Sequence, residues 1–143
     1  MEMDLQIALD NYAYGIRDVI PQYITGKMKD REALEDELAL VLRARDQIEP
    51  ALEQWRVNEP NAAKLVDELD RVFLLSRDAL IKIAPALSFY REGKQIPRAR
   101  WWYYLDLITR VQVEEFVLPS AAWDETMVLP ERIVVRQFAL AKE

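Results

Sequence analysis

Two long stretches of the chain carry apolar residues at alternating spacings of three and four, and this period restricts the possible folds most. Such spacing places the apolar side chains on one face of an α-helix. The first stretch, roughly residues 31–57, has the seam Leu34, Leu38, Val41, Arg45, Ile48, Leu52 and Trp55. The second, roughly residues 61–92, has the seam Ala62, Val66, Leu69, Phe73, Ser76, Leu80, Ile83, Leu87 and Tyr90. We therefore predict two long helices that pack in a bundle.

A shorter stretch, roughly residues 4–25, has the same period and predicts a helix that precedes these two. Its stripe is Leu5, Ala8, Tyr12, Ile16, Val19 and Tyr23. Gly15 beside the stripe either permits the close approach of another helix or marks a weak point in this one. Proline removes a backbone donor inside a helix, so Pro21 should kink or end the first helix. For the same reason Pro50 should interrupt the second helix and Pro85 should kink the third.

Two charged residues stand inside apolar stretches. Arg45, in the seam of the second predicted helix, is either an edge residue whose guanidinium reaches water or one half of a buried ion pair. The first alternative is preferred, because burial of an unpaired charge is very costly. Asp106, the sole charge within residues 101–108, is either a catalytic or binding carboxylate in an apolar wall or, as we prefer, the partner of Arg110 one helical turn later.

The most unusual feature is the aromatic segment, residues 98–108, which reads Arg-Ala-Arg-Trp-Trp-Tyr-Tyr-Leu-Asp-Leu-Ile. Pro97 suits the first turn of a helix, so we predict a fourth helix over residues 97–113. Four consecutive aromatic residues wrap most of the way round such a helix, so one core contact cannot bury them all. Either two rings are half-exposed under Arg and Lys stems, or the segment has a second interface. The candidate interface residues are Arg91, Lys94, Arg98, Arg100, Trp101, Trp102, Tyr103 and Tyr104.

The predicted fold is all-α: an up-and-down antiparallel bundle of four main helices, with the second and third long and kinked. Residues 1–113 would form the core of a single domain, and residues 114–143 a proline-punctuated C-terminal segment that packs on the bundle or on a partner. A helix is preferred over residues 131–141. Ile133-Val134-Val135 is strongly β-prone, however, so a strand is the alternative.

Composition excludes several kinds of site. The 143 residues include no cysteine and no histidine, which removes disulfides, thiolate metal sites, cysteine nucleophiles and the commonest general base. We therefore expect no cofactor and favour a non-enzymatic protein. The acidic start lacks a signal-peptide pattern, and no apolar run has the length of a membrane span, so we expect a cytoplasmic protein.

Charge is unevenly distributed along the chain, whose net charge is −6. Residues 30–70 carry 12 acidic and 5 basic side chains, whereas residues 71–110 carry 8 basic and 3 acidic ones. With the aromatic segment, this asymmetry predicts a protein-interaction module that self-associates, as a dimer, through that segment. The alternative is binding of a ligand or single-stranded nucleic acid by the same Arg and aromatic residues, which the acidic remainder disfavours.

A third hypothesis is a Mg²⁺-dependent enzyme, because an all-carboxylate site needs no histidine. Candidate ligands are Glu32, Glu35 and Asp36 on the second predicted helix, and Asp67, Glu68 and Asp70 on the third. Residues 66–75, Val-Asp-Glu-Leu-Asp-Arg-Val-Phe-Leu-Leu, resemble the acidic helix of all-α nucleotide pyrophosphohydrolases of the MazG type. That resemblance implies nucleotide hydrolysis with Mg²⁺. The chain departs from the Glu-x-x-Asp pattern, because Arg71 stands three residues after Glu68.

Overall fold

The computed structural model describes residues 2–83, 87–97 and 100–107, and the backbone alone of residues 108–112, 115–117, 132–134 and 137–140. The α-helices are α1 (Met3–Tyr14), α2 (Ile20–Ile24), α3 (Arg31–Asn58), α4 (Pro60–Leu75) and α5 (Arg77–Ile83). A π-helical turn, Gly15–Val19, joins α1 to α2. Three 3₁₀ turns follow: Leu87–Arg91, Trp101–Tyr103 and Leu105–Leu107. The helical class predicted from the sequence is confirmed for the described residues up to Leu107.

The first predicted helix contains a π-helical turn just before its proline and continues to Ile24. Pro21 has no N–H to donate to the preceding turn, and the turn before it is π-helical, with the Ile20 N–H bonded to the Gly15 carbonyl. Gly15 packs directly on α3: an added Cβ would lie 2.3 Å from Cγ2 of Val41. The close helix approach that the sequence left open is therefore what requires glycine here.

The second predicted helix is correct in extent, but Pro50 does not interrupt it. Helix α3 runs from Arg31 to Asn58 with Pro50 inside it. Asp30 caps its start by accepting a bond of 3.2 Å from the Ala33 N–H to Oδ1. Burial of the α3 seam outweighs the one backbone bond that Pro50 removes.

The third predicted helix is too long. The α-helix stops at Leu75, and Ser76 begins a turn in which its hydroxyl donates to the Phe73 carbonyl at 2.7 Å. Helix α5 follows, and Pro85 lies outside the described residues. A serine hydroxyl that bonds back to a carbonyl competes with the helical backbone pattern, which accounts for the break.

The fourth predicted helix is wrong, and so is the preferred C-terminal helix. Two 3₁₀ turns replace the helix over residues 101–107, and β1 (Ile108–Gln112) follows. Strand β1 pairs antiparallel with β4 (Gln137–Leu140), and β2 (Glu115–Val117) with β3 (Arg132–Val134). Partners in register include Val111 with Phe138 and Phe116 with Ile133. The β-propensity of these branched and aromatic residues prevailed over the helical period.

One hydrophobic core joins the helices and the aromatic segment. Helix α1 packs mainly on α3, and α3 on α4. The ring of Tyr12 meets that of Phe73 edge-on, with centroids 6.5 Å apart. The largest fully buried side chains are Trp102, Tyr12, Phe73, Ile16, Ile20, Leu34, Leu38, Ile48, Leu69, Leu80 and Leu105. Since this set includes Trp102 and Leu105, the aromatic segment is part of the core.

Candidate functional site

The aromatic segment, predicted to form an interface, is bound to α3 of its own chain. Trp102 is 2% exposed, and its indole Nε1 donates to Oδ1 of Asp46 at 2.9 Å. The Tyr103 hydroxyl donates to the other oxygen of the same carboxylate. Arg100 Nη1 lies 3.3 Å from Asp46 Oδ1. Asp46 therefore receives three donors from one short stretch of chain and fixes that stretch on the helix.

A second carboxylate, Asp70 of α4, forms a polar cluster beneath the indole of Trp102. The Arg45 guanidinium lies 4.3 Å from the Trp102 ring centroid and binds both oxygens of Asp70, at 2.9 and 3.0 Å. Arg45 also contacts Glu49 at 2.6 Å, and the Tyr12 hydroxyl donates to Asp70 at 2.6 Å. Arg45 is 3% exposed, so the preferred reading of an edge arginine is wrong and the buried pair is correct.

The electrostatics of this cluster are those of a structural ion pair. Burial raises the pKa of the Asp70 carboxyl, although the Arg45 charge and the hydrogen bonds from Arg45 and Tyr12 oppose the rise. Burial acts against the charged form of Arg45 too, but Asp70 prevails and raises the pKa of the guanidinium. Burial also raises the pKa of Tyr12, with a further contribution from the Asp70 charge. Both Asp70 oxygens are thus engaged within the chain.

Arg91, another predicted interface residue, is paired inside the molecule. Its guanidinium binds Asp106 through two bonds of 2.5 and 3.0 Å and donates to the Tyr103 carbonyl at 2.8 Å. It also lies 4.8 Å from the centre of the Tyr104 ring. Arg91 is therefore a partner of Asp106, whereas the side chain of Arg110, the partner predicted from the sequence, lies outside the described part of the chain. The helical spacing expected between residues 106 and 110 is absent, because Asp106 lies in a 3₁₀ turn and residue 110 in strand β1.

The remaining candidates divide between buried and exposed positions. Tyr104 is buried, and its hydroxyl donates to the Ile96 carbonyl. Trp101 is half-buried, with its ring centroid 6.2 Å from that of Phe73. Lys94 is exposed, and Arg98 lies outside the described residues. Trp102 and Tyr104 are thus buried, whereas Trp101 and Tyr103 are half-buried, which agrees with the alternative of two half-exposed rings.

The carboxylates considered for Mg²⁺ are engaged with arginines or lie apart. Asp67 binds Arg56 through two bonds of 2.9 and 3.1 Å, and Asp70 binds Arg45. Within the described ranges, no three acidic side chains lie close enough together to hold a metal ion. Asp67 and Asp70 thus connect α4 to α3 through ion pairs with Arg56 and Arg45.

One surface was not singled out from the sequence: the outer face of α1, formed by Met3, Ile7, Asp10 and Tyr14. The three apolar members are 78%, 50% and 57% exposed. At 100° per residue they lie within about 40° of one another around the helix, opposite the buried side chains. The spacing of four, three and four along residues 3, 7, 10 and 14 was readable in the sequence. It was obscured by the stronger core stripe of the same helix.

A cleft of about 380 Å³ opens where the start of α1 meets the second half of α3. It is lined by Glu2, Asp4, Leu5, Gln47, Pro50, Ala51 and Gln54. Met3, the first member of the outer face, stands in the chain between the two acidic lining residues. The two chain neighbours of Met3 therefore line the cleft.

Comparisons of the chain with known protein families, curated proteins and solved structures found no match. Among the described helices, none combines the length and the apolar character needed to cross a membrane.

Proposed function

We propose that this protein is a non-enzymatic protein-interaction module and that the outer face of α1 is its contact surface. The observation that carries the proposal is the apolar stripe of Met3, Ile7 and Tyr14, exposed on the side of α1 opposite the core. Single exposed apolar residues are ordinary, but three aligned on one helix face are typical of a contact surface. The opposite face of the same helix packs on the core through Ala8, Leu9 and Tyr12, which are buried.

The aromatic segment supports the same function indirectly, as a structural part of the module. Contact of Trp102 with a partner would require the indole to leave Asp46 and the Arg45 guanidinium. We therefore assign the contact surface to α1 and not to residues 98–104, where the sequence predicted it. Self-association stays a prediction, and solution mass tests it.

A single thiol on α1 tests the proposal directly. Because the chain has no cysteine, Ile7→Cys labelled with an environment-sensitive fluorophore reports on the outer face of α1 alone. The matched control is Val57→Cys, at a residue that is 80% exposed on α3. Each labelled protein is followed by light scattering and fluorescence over a concentration series. Each is then titrated with a helical peptide that has a leucine seam of 4/3 spacing and glutamine flanks.

We expect the label at position 7 to respond to the peptide, or to self-association, while the label at position 57 stays silent. A contact that covers the stripe removes the fluorophore from water, whereas position 57 lies outside it. Silence at position 7 in both experiments would overturn the proposal. An equal response at both positions would also overturn it, because a general apolar attraction would then be the cause.

A further inference from the structure

We infer that the partner of the outer face of α1 is an amphipathic helix whose apolar seam is flanked by lysine or arginine. This inference rests on the proposed function and specifies the partner chemistry. Its first basis is geometric. Residues 3, 7, 10 and 14 repeat the 4/3 spacing of a coiled-coil seam, and a seam this narrow matches another helix laid along it.

Charge complementarity provides the second basis. The acidic residues of this region are Glu2, Asp4, Asp10 and Asp18, and no lysine or arginine precedes Arg17. Asp4 and Asp10 are exposed on α1. Asp10 lies within the seam itself, where its contact with Gln6 Nε2 at 2.8 Å leaves the negative charge unneutralised. A partner with basic flanks gains attraction along the whole contact.

The same charges disfavour a second copy of this chain. If two α1 helices paired through this face, Asp10 of each helix would lie in the contact, with Asp4 at its side. Asp10 would then stand in or beside the seam of both helices, and like charges across a contact oppose association. With a basic partner helix this repulsion is absent, because the positive side chains of that helix attract the carboxylates of α1.

The cleft beside Met3 agrees with a basic partner. Two carboxylates, Glu2 and Asp4, stand at its rim, and Leu5, Pro50 and Ala51 supply apolar wall. A lysine or arginine near one end of the partner helix could lay its alkyl stem against that wall and place its charge beside the carboxylates. The cleft therefore adds an attachment point at the end of the stripe.

Three synthetic helices with one leucine seam test the inference. Their flanking positions carry lysine, glutamine or glutamate, and each is titrated against the protein labelled at Ile7→Cys. Since exposed ion pairs are individually weak but several can form along the contact, we expect the lysine peptide to bind about tenfold tighter than the glutamine peptide. The glutamate peptide should bind weakest. Added salt should reduce the difference.

Charge reversal on α1 provides the decisive variant. Asp4→Lys with Asp10→Lys should invert the order, so that the glutamate peptide binds tightest. The control, Glu53→Lys with Glu92→Lys, changes net charge equally at exposed residues outside α1 and should preserve the order. Replacement of Met3, Ile7 and Tyr14 by serine should abolish binding of every peptide, as measured by titration calorimetry, because position 7 then carries no label. Serine at the exposed Val57 and Phe89 should not.

The outcomes separate this inference from the proposed function. Equal affinity for the three peptides, or inversion by the control pair as well, overturns the basic-partner inference and leaves the contact surface intact. A mass that doubles with concentration, and returns to that of a monomer in the triple-serine protein, assigns the face to a second copy and also overturns it. Absence of any response at position 7 overturns both proposals.

Discussion

The guanidinium of Arg45 lies 4.3 Å from the centre of the Trp102 ring and at the same time binds both oxygens of Asp70. One side chain on α3 thus connects the aromatic segment to α4, and through Asp70 to Tyr12 of α1. The neighbouring Asp46 binds Trp102 from the other direction. The aromatic segment is therefore as much a part of the fold as the helices are.

Truncation of Trp102 should destabilise the whole protein. Trp102→Ala removes a fully buried ring and should lower the free energy of unfolding by about 3–5 kcal/mol. Trp102→Phe keeps most of the apolar contact but loses the bond from Nε1 to Asp46, so the cost should fall to about 1–2 kcal/mol. Urea unfolding followed by circular dichroism measures both.

Phe89→Ala, at a ring that is 66% exposed, is the control and should stay within about 0.5 kcal/mol of the parent. A similarly small effect for Trp102→Ala would contradict the structure.

The buried pair of Arg45 and Asp70 should show strong coupling. Arg45→Met leaves the Asp70 carboxylate without its main partner and should cost about 3–5 kcal/mol. Adding Asp70→Asn removes the orphaned charge, so the double variant should be more stable than Arg45→Met alone. A double-mutant cycle in urea measures the coupling. Arg56→Met with Asp67→Asn, at the more exposed pair between the same helices, should couple by about 1 kcal/mol or less. Equal coupling energies in both cycles would show that burial does not strengthen the pair of Arg45 and Asp70.

These cases show which parts of the fold the sequence could predict. The seam of α3 was readable because its period is local, and its bounds were nearly correct. The role of Arg45 was not readable, because its partner lies 25 residues away on another helix. The spacing placed Arg45 in the seam, but only tertiary structure reveals which carboxylate meets it.

The prediction of a helix over the aromatic segment was wrong for a related reason. Its apolar residues also fit a helical period, and Pro97 favours a helix start. Contacts from Asp46 to Trp102 and Tyr103, and from Arg91 to Asp106, hold the segment in 3₁₀ turns instead. Such long-range contacts override local propensity. The outer face of α1 was predictable in principle, because a second 4/3 pattern on one helix needs no tertiary information.

Alkaline pH should unfold the protein partly through Tyr90. Burial, with the charges of Glu35 and Asp36, raises the pKa of the Tyr90 hydroxyl from 10.0 to about 12. The unfolded chain ionises first, so this contribution to stability is complete below pH 10 and is lost as pH rises through 12. In Tyr90→Phe, the unfolding free energy should therefore fall less steeply over that interval. Urea unfolding at several pH values measures the slope.

The slope in Tyr90→Phe should be reduced rather than abolished. Burial also raises the pKa values of Tyr12 and Tyr103, so both contribute to alkaline unfolding in the same direction. Below pH 10 the variant should be less stable by about 0.5–1.5 kcal/mol, because the bond of 2.8 Å from the Tyr90 hydroxyl to the Glu35 carbonyl is lost. An unchanged slope would show that Tyr90 ionises alike in the folded and unfolded chains.

The effects of substitutions at Gly15 and Val41 on the free energy of unfolding should not be additive. Gly15→Ala would place a Cβ 2.3 Å from Val41 Cγ2, so it should destabilise the protein by about 1–3 kcal/mol despite the better helix propensity of alanine. Val41→Ala removes the obstructing methyl groups. The double variant should therefore be more stable than the sum of the two single effects by at least about 1 kcal/mol. Gly26→Ala is the control: its φ of 79° makes alanine costly, but nothing lies within 4 Å of the added Cβ. Its effect should simply add to that of Val41→Ala. If the effects of Gly15→Ala and Val41→Ala on the unfolding free energy simply add, the helices can move apart at this point without a cost in stability.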